Sequence, residues 1–337
     1  MFRLFDPRDL LLLRRLKPQG VAFDLRRHLL RNTSPLRDAL VGYLTAHHAG
    51  SITCVFQSPE EEDGLSGFVQ VTEGATGAEW ELAYLAPNLD YDLNAGNTWC
   101  RILGHLILLG AEHGVERICV RSAEDAEAED LFRRTGFTVV SREEVFALDQ
   151  EAKPAPLPRG LRRATPQDEW ALQELYHQVV PKVIQQAEGC NPRWIAPRRR
   201  ILRGQSTTEQ YVWADKGRML ACLRLTKTAQ GSWMEVLTRP EQRGEVLPHL
   251  RYLLTRAAPT APSPVYCPVP DHAVGLSWLL RTLGFEPYTR QVLLVAHTVT
   301  RVSARRRLMV PGLEHGVDVS RPMGHISRPE ESQPLTC

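Results

Sequence analysis

The chain is short of the features that assign a protein to a class at sight. Its seven cysteines (Cys54, Cys100, Cys119, Cys190, Cys222, Cys267 and Cys337) are odd in number, scattered, and never spaced as Cys-x-x-Cys. That argues against a disulfide framework or a zinc knuckle and for buried free thiols in a reducing cytoplasm. Long hydrophobic runs are absent too. Leu10 to Leu13 is flanked by Arg14, Arg15 and Lys17, which suits an amphipathic helix rather than a signal peptide. Nothing approaches the ~18 apolar residues of a membrane span. Neither sign of charge dominates, with 41 basic and 39 acidic side chains. Arg198-Arg199-Arg200 is one short cluster without a binding motif or interleaved aromatics, so nucleic acid is not an expected partner. His105 and His113 lie eight apart with no carboxylate pattern between them, and packing is a better expectation than zinc.

What is present is ordinary in bulk and unusual in arrangement. A chain of 337 residues with 43% apolar and 24% charged residues is comfortable for two cores. By count, residues 1–150 carry a net charge of −8, residues 151–300 carry +8, and the tail adds +2. Opposite signs favour docking between the halves, or an acidic ligand on the second; two unrelated solvated surfaces are the alternative. A faint internal repeat runs through the same halves. Trp80 to Pro87 and Trp233 to Pro240 share a Trp–Pro spacing at an offset of 153. Leu131 to Phe137 answers Leu279 to Phe285 in a helix-Gly-Phe ending, and Leu4 to Asp9 answers Arg163 to Asp168. A unit of this length is too long for a solenoid and reads as two copies of one fold.

Punctuation supports that division. Pro154, Pro156, Pro158 and Gly160 make residues 150–159 a semi-stiff linker. The expected domains are 1–149 and 160–299, with 300–337 a disordered or loosely packed tail. In the first half the pattern predicts a short helix (9–17) and a helix over 36–47 with Ser34 as N-cap and Pro35 opening it. Strands at 51–57, 65–71 and 78–85 follow, then a helix over 97–113, a strand at 117–121, a helix over 123–135 and a closing strand at 137–148. The second half predicts a strand at 161–164, a helix over 167–180 and a Pro/Arg-rich helical region to Arg203. Strands at 210–214, 219–226 and 232–238, a helix over 245–258, a strand at 265–268, a helix over 272–283 and a strand at 288–297 complete it. The order β-α-α-β-β-β-α-β-α-β, twice, implies an α/β class with a mixed, mostly antiparallel sheet flanked by helices in each copy.

That order, with its helix-Gly-Phe-strand ending, resembles the GNAT N-acetyltransferase superfamily over residues 2–149 and 160–298. The resemblance implies that the fourth strand of a copy runs into a loop of the form Arg/Gln-x-x-Gly-x-Gly/Ala, whose backbone N–H groups and helix dipole hold the pyrophosphate of acetyl-coenzyme A. In the second copy Pro240-Glu241-Gln242-Arg243-Gly244 matches the first half of that loop, but Glu245, Val246, Leu247 and Pro248 replace the glycines. In the first copy Asn88 to Gly96 has two carboxylates and one late glycine, a loop unfit for pyrophosphate. The cofactor residues implied are therefore Leu237, Arg239, Arg243 and Gly244. The family's proton-donating Tyr is replaced by Phe132 and Leu280, and its coenzyme-contacting Asn by Asp125 and Ala273. A carboxylate on the fourth strand survives, Glu79 or Glu81 and Glu235, as a general-base candidate; a salt-bridged or solvent-facing strand residue is the alternative. Glu235 and Glu81 are the catalytic candidates, and a small-molecule or peptide amine is the implied acceptor. Two function classes remain open: an N-acyltransferase working in the second copy, or a silent tandem scaffold that binds or senses.

His47-His48 reads as a helix-end cap, Glu60 to Asp63 as a solvated loop, and Trp80 and Trp233 as equivalent core anchors. A Cys100–His105 nucleophile pair is disfavoured, since adjacent helical turns rarely aim such groups together.

Overall fold

The computed structural model describes residues 1–31, 34–46, 51–58, 65–74, 77–150, 153–189, 194, 206–257 and 263–298. The readings placed on His47-His48, Glu60 to Asp63, the arginines 198–200 and the tail from 300 onward lie outside the described residues. So do Cys190 and Cys337. Met1–Arg301 form one compact unit.

The first copy runs β1 (Phe2–Leu4), α1 (Leu10–Leu16), β2 (Val21–Ala22), α2 (Leu25–Leu30), α3 (Pro35–Leu44), β3 (Ile52–Gln57), β4 (Ser66–Glu73), β5 (Glu79–Ala86), α4 (Ala95–Glu112), β6 (Arg117–Ala123), α5 (Ala126–Arg134) and β7 (Thr138–Leu148). The second runs β8 (Leu161–Arg163), α6 (Glu169–Val179), α7 (Lys182–Glu188), β9 (Thr207–Asp215), β10 (Arg218–Lys227), β11 (Ser232–Thr238), α8 (Leu247–Ala257), β12 (Val265–Pro270), α9 (Leu276–Thr282) and β13 (Glu286–His297). The class is mixed α/β, with the predicted element order in both copies. Two elements escaped the sequence pattern: β2, too short to show alternation, and α2, opened by Asp24, whose side chain accepts from the Arg27 amide at 2.9 Å. Ser34 occupies the N-cap position of α3, but its hydroxyl makes no capping bond.

The start of each copy confirms the repeat at atomic detail. Asp9 accepts two bonds from the Arg3 guanidinium, at 2.6 and 2.7 Å, and one from the Asp6 amide. Asp168 does the same for Arg162, at 2.7 and 2.6 Å, and for the Thr165 amide. Both carboxylates close the first turn of a helix as a capping box, and the paired guanidinium adds a planar two-bond clamp.

The sheet joins the copies. Its order is β1-β3-β4-β5-β6-β13-β7-β12-β11-β10-β9-β8. Each closing strand lies beside the other copy's strands: β13 enters between β6 and β7, and β7 between β13 and β12. The proline-rich segment stays outside the ladder. Edge strands need a cover, and here β6 and β12 obtain it from across the pseudo-dyad. That axis passes through Glu143 and Gln291, which face one another in the β7–β13 ladder. Their spacing of 148 is also that of Gly136 and Gly284, and Gln291 Nε2 donates to Glu143 Oε1. Helices cross over as well. Leu30 of α2 packs on Val145, Trp233 and Tyr266, while Ala187 of α7 packs on Cys119, Leu293 and Val295. Larger cores lie under α4 and α5 in the first copy and under α8 and α9 in the second.

Trp80 and Trp233 are both buried, but they are not equivalent. Trp80 faces the α4 side with Leu103 and Leu106, whereas Trp233 faces α2 on the other side. One residue of slip reverses every side chain of a strand. Counted through the ladders from the matched starts, Tyr84, opposite Gln70, occupies the place of Glu235, opposite Arg224. Glu81 therefore answers Trp233. The sequence echo is out of register with the structural repeat, partly because Ala83 is bulged from the β4–β5 ladder.

Two outcomes are expected. A fragment beginning at Gly160 lacks β7, so β12 and β13 lose their shared neighbour; gel filtration should find it aggregated or strand-exchanged, and a stable monomer would contradict the role given to β7. The second concerns acid. Hydrogen bonds from Arg162 hold the Asp168 carboxyl well below its ordinary range. Such a contribution is complete above the unfolded value of about 4 and disappears as pH falls through the lower folded value. Asp168→Asn should lower Tm at pH 7 and flatten its loss between about pH 4 and 2.

Candidate active site

In each copy one pair of neighbouring strands, β5 and β6 in the first and β11 and β12 in the second, is parallel and soon parts. The β5–β6 ladder covers only Glu79–Glu81 against Arg117–Cys119, and the β11–β12 ladder only Ser232–Trp233 against Val265–Tyr266. Beyond those pairs a wedge opens between neighbouring strands. Backbone groups along such a wedge must find partners or water.

The two wedges have different fates. In the first copy β2 lies in it: Val21 and Ala22 pair with Leu85 and Tyr84, and the Phe23 amide donates to the Ala83 carbonyl at 3.0 Å. Phe23 then meets Trp99 and Phe132 edge-on, with centroids 5.7 and 5.6 Å apart. Its ring therefore packs on Phe132. The following loop is self-contained, since Asp92 accepts from the Asn94 amide and the Trp99 indole donates to the Pro87 carbonyl. In the second copy, among the described residues, no strand pairs with the β12 side of β11 beyond Trp233. A narrow cleft opens there.

Residues from both copies line that cleft: Glu235, Leu237 and Thr238 of β11, Pro268 and Pro270 of β12, Tyr176 of α6, Ile184 and Glu188 of α7, Arg121 of β6 and Glu143 of β7. Glu235 is 3% exposed and held between cations. Arg26, from α2 of the first copy, lies 3.3 Å from it and Arg224 lies 3.8 Å away. Arg26 also donates to Thr226 at 2.6 Å and covers the Trp233 ring. A carboxylate in such a pair must part from arginine before it can take a substrate proton. Tyr176, 1% exposed, donates its hydroxyl to Glu188 Oε2 at 2.6 Å. Arg121 bridges Glu81 and Glu143, each at 3.5 Å.

Of the residues singled out in the sequence, Glu235, Leu237 and Arg243 border the cleft. Arg243 donates to the carbonyls of Val274, at 2.5 Å, and His272, at 3.3 Å, tying the segment before α8 to the segment before α9. Burial lowers its pKa from the ordinary arginine value. Arg239 turns away, donating to the Met219 carbonyl and to Gln178; burial lowers its pKa as well. Gly244 lies in a 3-10 segment spanning Pro240–Val246, and a Cβ there would meet nothing within 4 Å. Glu81 lies in the first copy, on the far side of Arg121. Its neighbour Glu79 has its pKa raised by burial and by Glu81. Sequence reasoning missed Tyr176, Glu188, Arg26 and Arg121. A lone Tyr on an apolar helix face carries no motif, and the arginines act across copies. His105 and His113 each bond the carbonyl four residues earlier. Among the described residues no group of three or more His, Cys, Asp or Glu could hold a metal, and no helix is long and apolar enough to cross a membrane.

No protein-family model and no curated protein matches the chain. Solved structures do. A GCN5-related N-acetyltransferase from Sphaerobacter thermophilus is 17% identical, with 88% of this chain and 95% of that one covered and a TM-score of 0.49. A tandem GNAT protein from the clavulanic acid biosynthesis pathway is 17% identical, with 89% and 98% covered and a TM-score of 0.49. A GCN5-related N-acetyltransferase from Kribbella flavida is 15% identical, with 77% and 93% covered and a TM-score of 0.45. The chain is similar to these in the outline of its fold.

Because buried Glu235 compensates the buried Arg224 and the half-buried Arg26 guanidinium, Glu235→Ala should cost about 3–5 kcal/mol of stability. Denaturant unfolding at neutral pH checks this, and an unchanged midpoint would show the pair to be idle.

Proposed function

We propose that the chain is a tandem GNAT-like N-acyltransferase that takes an acyl-coenzyme A such as acetyl-coenzyme A into the second copy and transfers the acyl group to a small-molecule or peptide amine. The observation that carries this reading is the asymmetry of the wedges: the first is filled by Val21–Phe23, and the second opens into a cleft. A thioester-bearing arm laid along β11 would find backbone groups near Leu237 without a strand partner. The start of α8, with Gly244 open before it, would face the pyrophosphate through backbone amides and the helix dipole. In this reading Arg243 and Arg239 fix the shape of the loop rather than touch phosphate. Glu235, fixed by Arg26 and Arg224, sets the charge at the acceptor end.

A silent scaffold is the second reading. It is favoured by the two committed arginines and by Leu280 standing where an acid is expected. Isothermal titration of the full chain with acetyl-coenzyme A separates the two. The acyltransferase reading expects saturable binding in the micromolar range. No heat at millimolar ligand would remove it and leave the scaffold. The same titration on Phe23→Ala should give the same stoichiometry as the parent if the second copy alone binds.

A further inference from the structure

We propose that Arg117, a residue of the first copy, is a positioning residue of the second copy's cleft: it sets the end of α7, and with it the wall against which the amine acceptor lies. The inference rests on the acyltransferase reading above and says how the copy with the filled wedge serves the copy with the open one.

Arg117 is placed where folding energy does not explain it. It is the first residue of β6 and 7% exposed. Its ion-pair partners among the described residues are Glu79, 3.6 Å from Nε, and Glu116, 3.8 Å from Nη1. Neither is close enough for a hydrogen bond, and Nε is buried without a hydrogen-bond partner among the described residues. An interior arginine so loosely paired costs stability that an apolar side chain would not. What the guanidinium does meet is the turn after α7. Gly189 closes that helix at φ +74°, and a Cβ there would fall on Cζ, Nη1 and Nη2 of Arg117. Both the backbone and the contact call for glycine. The charge suits the place too, since a cation is favoured beyond the C-terminal end of a helix.

The helix needs that outside support. α7 has seven residues, and its N-cap, Pro181, makes no side-chain capping bond. A helix so short does not hold its own place in water; its neighbours fix it. Ala187 packs on Cys119, Leu293 and Val295, and Glu188 accepts the Tyr176 hydroxyl at 2.6 Å. Arg117 then limits how far the end of the helix can settle toward β6.

Ile184 and Glu188 of α7 border the cleft. In the reading above the donor's phosphates lie at the start of α8, on the face of the sheet that carries Val236. Leu237 faces the other way, among Leu175, Tyr176 and Ile184 of α6 and α7. The wall made by those two helices is therefore left to the acceptor. Arg117 acts on that wall through α7 and does not touch substrate.

The test uses the full chain with Arg117→Ala, Gly189→Ala and the double variant. Hydrogen exchange of Lys182–Glu188 reads the contact without requiring activity, and Ala126–Arg134 of α5 is the internal control. Acetyl-coenzyme A is the donor, butylamine, spermidine and alanine are the acceptors, and thiol release is the readout; calorimetry reports donor binding separately. Arg117→Ala should speed exchange in α7 by about tenfold or more and leave α5 unchanged. It should raise the acceptor KM about tenfold while kcat and the donor Kd stay within about threefold, the pattern of lost acceptor binding. A general loss of packing would lower kcat and loosen α5 as well. Gly189→Ala should give the same pattern, and the two changes should combine less than additively, because they break one shared contact. Thermal unfolding shows whether each variant is folded, and each single variant guards against failure of the other. Unchanged exchange in α7 of a folded variant overturns the assignment, as does an acceptor KM within about threefold of the parent or strict additivity. Donor binding without thiol release from any of the three amines also overturns it while sparing the donor site. Absence of donor binding overturns the reading on which it rests, whatever exchange shows for the contact.

Discussion

The exchange of closing strands is the constraint on which the rest of the structure depends. A parallel strand at the end of each copy would otherwise present an open ladder. Here β13 covers β6 and β7 covers β12, and the two exchanged strands pair with each other about the Glu143–Gln291 contact. Once that sheet is continuous, α2 must lie over the second copy's strands and α7 over the first's. Arg26 then reaches Glu235, and Arg117 reaches the turn after Glu188. A cleft assembled from both copies follows from one topological fact.

The same plan supports two outcomes in one chain. Both copies open a wedge where parallel strands part, and both start from an Arg–Asp capping clamp. In the first copy the chain between α1 and α2 turns into the wedge, adds a short strand to β5 and inserts Phe23 against Trp99 and Phe132. The backbone is satisfied internally, and no ligand is needed to complete it. In the second copy the corresponding chain passes directly from α6 to α7, and among the described residues no strand pairs with the β12 side of β11 beyond Trp233. Glu235, Glu143 and Arg121 around the cleft there are held in ion pairs, as a low-dielectric interior requires.

Much of the fold was legible beforehand, element by element. Hydrophobic periodicity placed α4 and α8 within a few residues, and strand β11 at its observed limits. The Gly-Phe ending located both closing strands. The Trp–Pro echo misled, because a repeat in letters carries no face: Trp80 and Trp233 sit on opposite sides of their sheets. The site was legible in part. Glu235 was reached as the carboxylate of strand β11, and Leu237 and Arg243 through the loop that the resemblance implies, whereas Tyr176 and Glu188 come from separate helices with nothing in their spacing to link them. Arg26 and Arg121 were invisible for a stronger reason, since each acts in a cleft shared with the other copy.

By itself, then, the sequence determined the duplicated order of strands and helices and the Gly-Phe turns that lead into the two closing strands. These depend on neighbours within a few residues, where side-chain period and backbone geometry act directly. Only the tertiary structure decided which strand closes which sheet, which wedge is filled, and which carboxylates are held by arginine. Those outcomes depend on contacts between residues more than a hundred positions apart, and local pattern holds no record of which distant edge a strand will cover.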